Sequence, residues 1–152
     1  MKKLRIYLDT SVFGGCFDPE FATVSCRLFD EIRASRFEVV ISDTLVAELQ
    51  PAPPRVRNLL VSLKPQHVEF VELSPEAEQL RDAYIAAGVV GRASREDAEH
   101  IAIASVAEVD MVVSWNFKHI VHFEKIAGFN AVNLLHGYKP LQVFSPNAVV
   151  TP

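Results

Sequence analysis

The chain has 152 residues, 49% of them hydrophobic, and a formal net charge of −4 from 15 basic and 19 acidic side chains. That length fits one domain with a sizeable buried core, and no run of about 18 apolar residues is present to form a transmembrane helix. The acidic balance argues against nonspecific coating of nucleic acid, but it leaves a nuclease open because a bound divalent cation inverts the local sign of a site.

The opening MKKLRIYLDT begins with charge and passes into a short apolar run. A signal peptide needs a longer apolar region and a small-residue cleavage site, so a strand ending at Asp9 is expected. Gly14-Gly15 predicts a loop. Thr23 or Ser25 then caps a helix through about Ser35, with Val24, Leu28, Phe29 and Ile32 on its apolar face. FEVVIS predicts a second strand. Ser42 or Asp43 opens a helix carrying Leu45, Val46, Glu48 and Leu49, which Pro51 ends. PAPPRVRNLL reads as a Pro-rich connection before a short helix through Leu63. HVEFVELS predicts a strand, and Ser74-Pro75 starts a helix that ends near Gly88. Ser94 with Asp97 three residues later reads as an acidic capping box for the next helix. MVVS predicts a strand, and FEKIAGFNAVNLL is expected to end in another. From about residue 137 the tail GYKPLQVFSPNAVVTP reads as extended. Cys16 and Cys26 have no metal-ligand spacing and read as small hydrophobes or inert thiols in a reducing compartment.

Strands alternating with helices predict a single α/β domain over 1–152, with helices on both faces of a parallel sheet. Ligands bind beyond the carboxyl ends of such strands. Asp9 follows the first strand, Glu48 lies in the helix after the second, Asp97 opens the helix before MVVS, and Asn116 follows that strand. All four therefore belong at one edge. On a helix of 3.6 residues per turn, Asp97 shares a face with Ile101, Ala104 and Glu108, so it leans inward. Clustered carboxylates repel and raise at least one pKa, and a divalent cation relieves that repulsion. An oxygen donor set favours Mg²⁺ or Mn²⁺ over zinc. Each residue also has a plainer use: a turn cap for Asp9, a solvated helix position for Glu48, a helix cap for Asp97, a turn for Asn116. Glu96, Glu99 and Asp43 read as solvated or capping, and His100 as a helix-surface histidine.

In order, YLDTSVFGG, SDTLVAEL, REDAEHIAIA and VVSWNFKHI resemble the motifs of the PIN-domain family, especially its VapC-like ribonuclease toxins; GYKPLQVFSP resembles the endings of small members. The resemblance spans essentially the whole chain. It implies a PIN-like α/β/α sandwich around a central parallel sheet and Mg²⁺- or Mn²⁺-dependent cleavage of RNA that leaves a 3′-hydroxyl and a 5′-phosphate. The family's three acidic positions match Asp9, Glu48 and Asp97. Its fourth, often Asp, is Asn116 here, which adds no negative charge and leaves the number of metals open. The resemblance also implies a small antitoxin partner, a homodimer and a cytoplasmic location.

The expected function is thus a metal-dependent endoribonuclease, with Asp9 and Asp97 on the metal, Glu48 ligating through water or activating it, and Asn116 positioning a water, metal or phosphate. Ser11 hydrogen-bonds a ligand or carboxylate, or stabilises its turn. Arg92, Arg95, Lys118 and His119 flank the edge as candidates for the RNA backbone. Trp115 packs against the sheet or stacks a base. The rival reading is a non-catalytic RNA- or protein-binding module. An aspartyl-phosphate phosphatase is disfavoured, because Ser11 stands where its second carboxylate belongs.

Overall fold

The computed structural model describes residues 2–152. Its five strands are β1 (Leu4–Leu8), β2 (Phe37–Ser42), β3 (Val68–Val71), β4 (Met111–Val113) and β5 (Gln142–Phe144). All pair in parallel, in the order β3-β2-β1-β4-β5. The seven helices are α1 (Thr10–Gly15), α2 (Ala22–Arg33), α3 (Asp43–Leu49), α4 (Pro54–Val61), α5 (Pro75–Ala86), α6 (Arg95–Val106) and α7 (Phe123–Leu135).

Strand periodicity divides the core. Side chains alternate across a strand, and a parallel sheet is buried on both faces, so both alternating sets must be apolar. Ile6, Leu8, Val39, Ile41 and Val113 enter one cluster with Phe13, Leu28, Phe29 and Ile32. Tyr7, Val40, Val112 and Val143 enter the other with Leu80, Tyr84, Ile101 and Phe129. The second layer is tied by polar contacts as well. Tyr84 on α5 donates to Asn133 on α7, whose amide donates at 3.0 Å to Ser105 on α6.

Several expected boundaries hold. Ser42 caps α3 by accepting from Leu45 N–H at 3.1 Å, and Ser74 caps α5 by accepting from Ala77 N–H at 3.1 Å. Beyond α5, Gly88 takes a φ of +76°, a left-handed conformation that glycine adopts without steric cost. Others differ. Gly14 and Gly15 close helix α1 rather than open a loop. Helix α2 begins after Phe21 with no side-chain cap, so Thr23 and Ser25 lie inside it. Helix α4 starts within the Pro-rich stretch, with Pro54 at its first position, where the missing N–H has no helical partner to lose. The capping box at α6 does not form: Ser94 accepts no cap bond, and Asp97 turns toward Asn116. The segment FEKIAGFNAVNLL is helical to Leu135, and the last strand is β5 in the tail. Glu108 lies past the end of α6 at positive φ rather than on its inner face.

Asp9 follows β1 and Ser114 follows β4. Between these neighbours the chain order reverses: β2 and β3 build out on one side of β1, β4 and β5 on the other. Such a switch point opens a crevice at the carboxyl edge. Trp115, next to Ser114, is buried in the core, stacked on Phe21 at 4.3 Å between ring centres, with its indole N–H on Ser25 Oγ at 2.8 Å.

Gly15 lies against that pair: a Cβ there would sit 2.6 Å from Ser25 Oγ and 2.8 Å from Trp115 Nε1, whereas one at Gly14 would meet nothing within 4 Å. Gly15→Ala should therefore cost about 1–3 kcal/mol by overpacking. Gly14→Ala should be neutral or stabilise by up to about 1 kcal/mol. Thermal melts distinguish them, and equal melting temperatures would contradict the close packing of α1 on Trp115.

Candidate active site

Asp9 is 5% exposed. Its carboxylate makes no cap bond to α1. It accepts instead from Ser11 Oγ at 2.6 Å and from Ser114 Oγ at 2.9 Å, the latter across the β1–β4 seam. Both hydroxyls are held in turn. Ser11 Oγ accepts the Trp115 N–H at 2.9 Å, and Ser114 Oγ accepts the Asn116 N–H at 2.9 Å. The DTS motif and the SWN loop therefore form one structure around Asp9.

Half-buried Asp97, in the first turn of α6, accepts from Asn116 Nδ2 at 3.1 Å, while Asn116 Oδ1 accepts the His119 N–H at 3.0 Å. Glu48, near the end of α3, has both oxygens engaged. Oε1 faces His100 Nε2 at 2.6 Å, and Oε2 accepts from Thr10 Oγ1 at 2.5 Å. A further polar chain holds α3 against α5 and α6: buried Arg81 binds Glu99 at 2.7 Å, and Glu99 accepts from Thr44 Oγ1 at 2.7 Å.

These environments push the carboxylates apart. Burial raises the pKa of Asp9 against lowering by the charge of His100 and the two serine bonds, and the nearby charge of Asp97 raises it further. Burial also raises Asp97, opposed by the charge of His119, the Asn116 bond and the charge of His100, and supported by Glu48. At Glu48, burial is outweighed by the hydrogen bond and charge of His100 and the Thr10 bond, so its pKa falls. His100 moves the other way: burial lowers its pKa, but the Glu48 bond and the charges of Glu48, Asp9 and Asp97 together raise it. Asp97 thus lies within electrostatic reach of both Asp9 and Glu48, and no ion pair among the described residues includes Asp9 or Asp97.

The side chains nevertheless turn to separate protein donors. Among the described residues no three His, Cys, Asp or Glu side chains are drawn into one ready ligand set. A cation would have to replace serine, Asn116 or Thr10 bonds. The chemistry of the donors suits a hard one: oxygen ligands, a buried and a half-buried carboxylate without a paired cation, and a neutral amide beside them.

Of the basic residues expected along the edge, Arg92 and Arg95 are exposed and together line two clefts of about 620 and 520 Å³. The 620 Å³ cleft shares Leu73, Glu96 and Glu99 with one of about 720 Å³ that is lined by Thr10, Asp43, Thr44 and Glu48. Lys118 is exposed next to the Asn116 turn, and His119 is partly buried there. Two plainer readings need correction: His100 is 2% exposed rather than on the surface, and Glu99 is paired rather than solvated. Asp43 is exposed, as expected, and accepts the Leu73 N–H at 2.9 Å. Tyr7, Thr10, Ser42 and Ser114 were not anticipated as part of the site. For His100 a signal did exist: it precedes Ile103 and Ala104 by three and four residues, which puts it on a buried face. The cysteines are free, as expected, and burial pushes the Cys16 thiol up to about 12.

No protein-family model matches the chain, and no curated protein matches it. Solved structures do. The chain is similar to FitAcB from Neisseria gonorrhoeae, with a TM-score of 0.58, 17% identity and coverage of 95% of this chain and 99% of that one. It is similar to VapBC2 from Rickettsia felis bound to a promoter DNA fragment, with a TM-score of 0.58, 14% identity and coverage of 93% and 98%. It is also similar to VapC20 of Mycobacterium tuberculosis, a toxin that cleaves the sarcin–ricin loop, with a TM-score of 0.56, 15% identity and coverage of 74% and 91%. The protein shares the PIN-like α/β/α fold of these structures. Identities this low carry the fold and leave the activity to the site.

Asp9 gives a stability test with a defined sign. A folded pKa above the usual 3.8 means that the stability Asp9 allows is fully present below 3.8 and is lost as pH rises through its folded value. Asp9→Asn in metal-free buffer should therefore raise the melting temperature at pH 7, by about 2–4 °C for each kcal/mol relieved. The gain should vanish on acidification, when both proteins are neutral there. The His100–Glu48 pair adds stability that falls as pH rises from 6.5 through the raised folded pKa of His100, and falls again as pH drops from 4.5 through the lowered folded pKa of Glu48. Melts across pH read both, and a destabilised Asp9→Asn at pH 7 would contradict the uncompensated charge.

Proposed function

We propose that this chain is a metal-dependent endoribonuclease and the toxin of a type II toxin–antitoxin pair, acting in the cytoplasm. One observation carries the reading: the buried, unpaired carboxylate of Asp9 at the β1–β4 switch point, with Asp97 in charge range of it and of Glu48. The shared fold with a toxin described as cleaving the sarcin–ricin loop supports it.

Asp9 and Asp97 would hold Mg²⁺ or Mn²⁺, with Glu48 reaching it directly or through water. When bound, such an ion polarises the phosphate and stabilises charge on the attacking and leaving oxygens. Ser11 and Ser114 orient Asp9. Asn116 is bonded at both ends, to Asp97 and to the His119 backbone, so its role is to aim Asp97 rather than to add a ligand. Glu48, with its pKa lowered, is better suited to orient the attacking water than to keep its proton. The water oxygen bonds to phosphorus and its proton leaves to solvent. The bond from phosphorus to the 3′ oxygen breaks, and that oxygen takes a proton from solvent, giving a 3′-hydroxyl and a 5′-phosphate.

Arg92 and Arg95 line the clefts continuous with Glu48, and Lys118 with His119 stands beside Asn116, so the RNA backbone has positive groups on two sides of the site. The cleft nearest Glu48 is acidic, with Asp43, Glu96 and Glu99 around it. That charge favours a basic side chain from an antitoxin, and the neighbouring FitAcB and VapBC2 structures fit such a partnership. A homodimer belongs to the same proposal.

The neutral Asn116, tied up by the protein, favours a second reading, a module that binds RNA without turnover. Retention of RNA with no cleavage at any Mg²⁺ or Mn²⁺ concentration would select it.

Asp97→Asn should abolish cleavage while the circular dichroism spectrum stays native, and EDTA should stop wild-type activity until Mg²⁺ or Mn²⁺ is restored. Full activity in Asp97→Asn under saturating metal would reject the assignment. Arg92→Ala and Arg95→Ala should weaken RNA binding across sequences, each lowering the salt dependence of log K by about one unit. An unchanged slope in filter-binding titrations would remove those arginines from the RNA path.

A further inference from the structure

His100 lies in a closed circuit of hydrogen bonds. Its Nε2 faces Glu48 Oε1 at 2.6 Å, and its Nδ1 meets the Tyr7 hydroxyl at 2.6 Å. That hydroxyl lies 2.7 Å from Ser42 Oγ, which accepts the Leu45 N–H as the N-cap of α3, the helix that carries Glu48. The circuit thus runs from α6 through β1 and the start of α3 and back to α6. Tyr7 and Ser42 are fully buried, and His100 nearly so.

Both ring nitrogens keep a partner in either charge state of the imidazole. With both ring nitrogens protonated, Nδ1–H donates to Tyr7, whose O–H donates to Ser42. With Nε2 alone protonated, Ser42 donates to Tyr7 and Tyr7 to Nδ1. In both cases Nε2–H points at Glu48, because a carboxylate only accepts. The orientation of Glu48 is therefore built in on the His100 side, while Thr10 holds its other oxygen.

We propose that His100 is a positioning residue that aims the Glu48 carboxylate at the metal and the attacking water, with Tyr7 and Ser42 locking the ring behind it. This rests on the nuclease reading of the site. The circuit is assembled from three segments distant in sequence. Truncating an outer partner of a metal-site residue costs about 10–100-fold in metal affinity or activity, which sets the expected scale.

The test uses the full chain with His100→Gln, His100→Asn, Tyr7→Phe and Glu48→Ala. Glutamine places an amide donor where Nε2 lies, whereas asparagine reaches only as far as Nδ1. His100→Asn should lower kcat and Mn²⁺ affinity by calorimetry, each by about 10–100-fold, with KM for RNA unchanged. His100→Gln should recover most of both losses, and Tyr7→Phe should fall between them. In the Glu48→Ala background the two His100 variants should become indistinguishable. In metal-free, ¹⁵N-histidine-labelled protein, the His100 Nε2–H proton should be downfield and slow to exchange, and Glu48→Ala should abolish that signal.

Equal losses in His100→Gln and His100→Asn, or an undiminished His100 effect without Glu48, would overturn the proposal. Melting temperatures identify any variant that fails to fold, and the remaining variants and the NMR signal then decide. If wild type neither binds Mn²⁺ nor cleaves RNA, the nuclease reading falls; the Nε2–H signal and its dependence on Glu48 still report whether His100 holds that carboxylate.

Discussion

The site is organised around a negative charge that the fold buries without a cation in contact. Asp9 sits where β1 and β4 diverge, and only hydroxyls touch its oxygens. Burying a carboxylate costs free energy that two neutral hydrogen bonds do not return in full. The surrounding structure is arranged to tolerate this. Ser11 and Ser114 are themselves fixed by backbone N–H groups of the Trp115–Asn116 segment, so the donors cannot swing away. Packing of Trp115 on Phe21 and Gly15 fixes that segment in turn.

Around this charge the other two acids have different settings. Asp97 shares the raised pKa of Asp9 and is tethered by an amide. Glu48 is held ionised by His100 and Thr10. Two carboxylates that resist ionisation and one that favours it make a site whose charge is only partly balanced by one imidazole. A hard cation would complete that balance without new protein groups, which ties the electrostatics to the proposed chemistry. Relief of charge repulsion and stability of the ion-free fold pull in opposite directions here, a common condition of functional sites.

Much of the scaffold was legible in the chain because its signals are local and periodic. FEVVIS, Ser42 before α3 and Ser74-Pro75 before α5 each act within a few residues, and the structure keeps them. Errors arose where tertiary packing overrode a local preference. Gly14 and Gly15 read as a break, yet Gly15 is helical because α1 must lie against Trp115 and Ser25 with no Cβ between them. Ser94 and Asp97 have capping-box spacing, but Asp97 spends its oxygen on Asn116. The tail carried no strong strand pattern; β5 forms because β4 offers it a free edge.

The sequence by itself determined the alternation of strands and helices and the placing of Asp9, Glu48, Asp97 and Asn116 at one sheet edge, since chain order in a parallel sheet dictates which end each turn occupies. Only the tertiary structure decided which way those side chains turn. The Ser114–Asp9 bond spans 105 positions and the His100–Glu48 bond 52. Contacts of that kind depend on how layers pack, and no periodicity within either segment encodes the partner in the other.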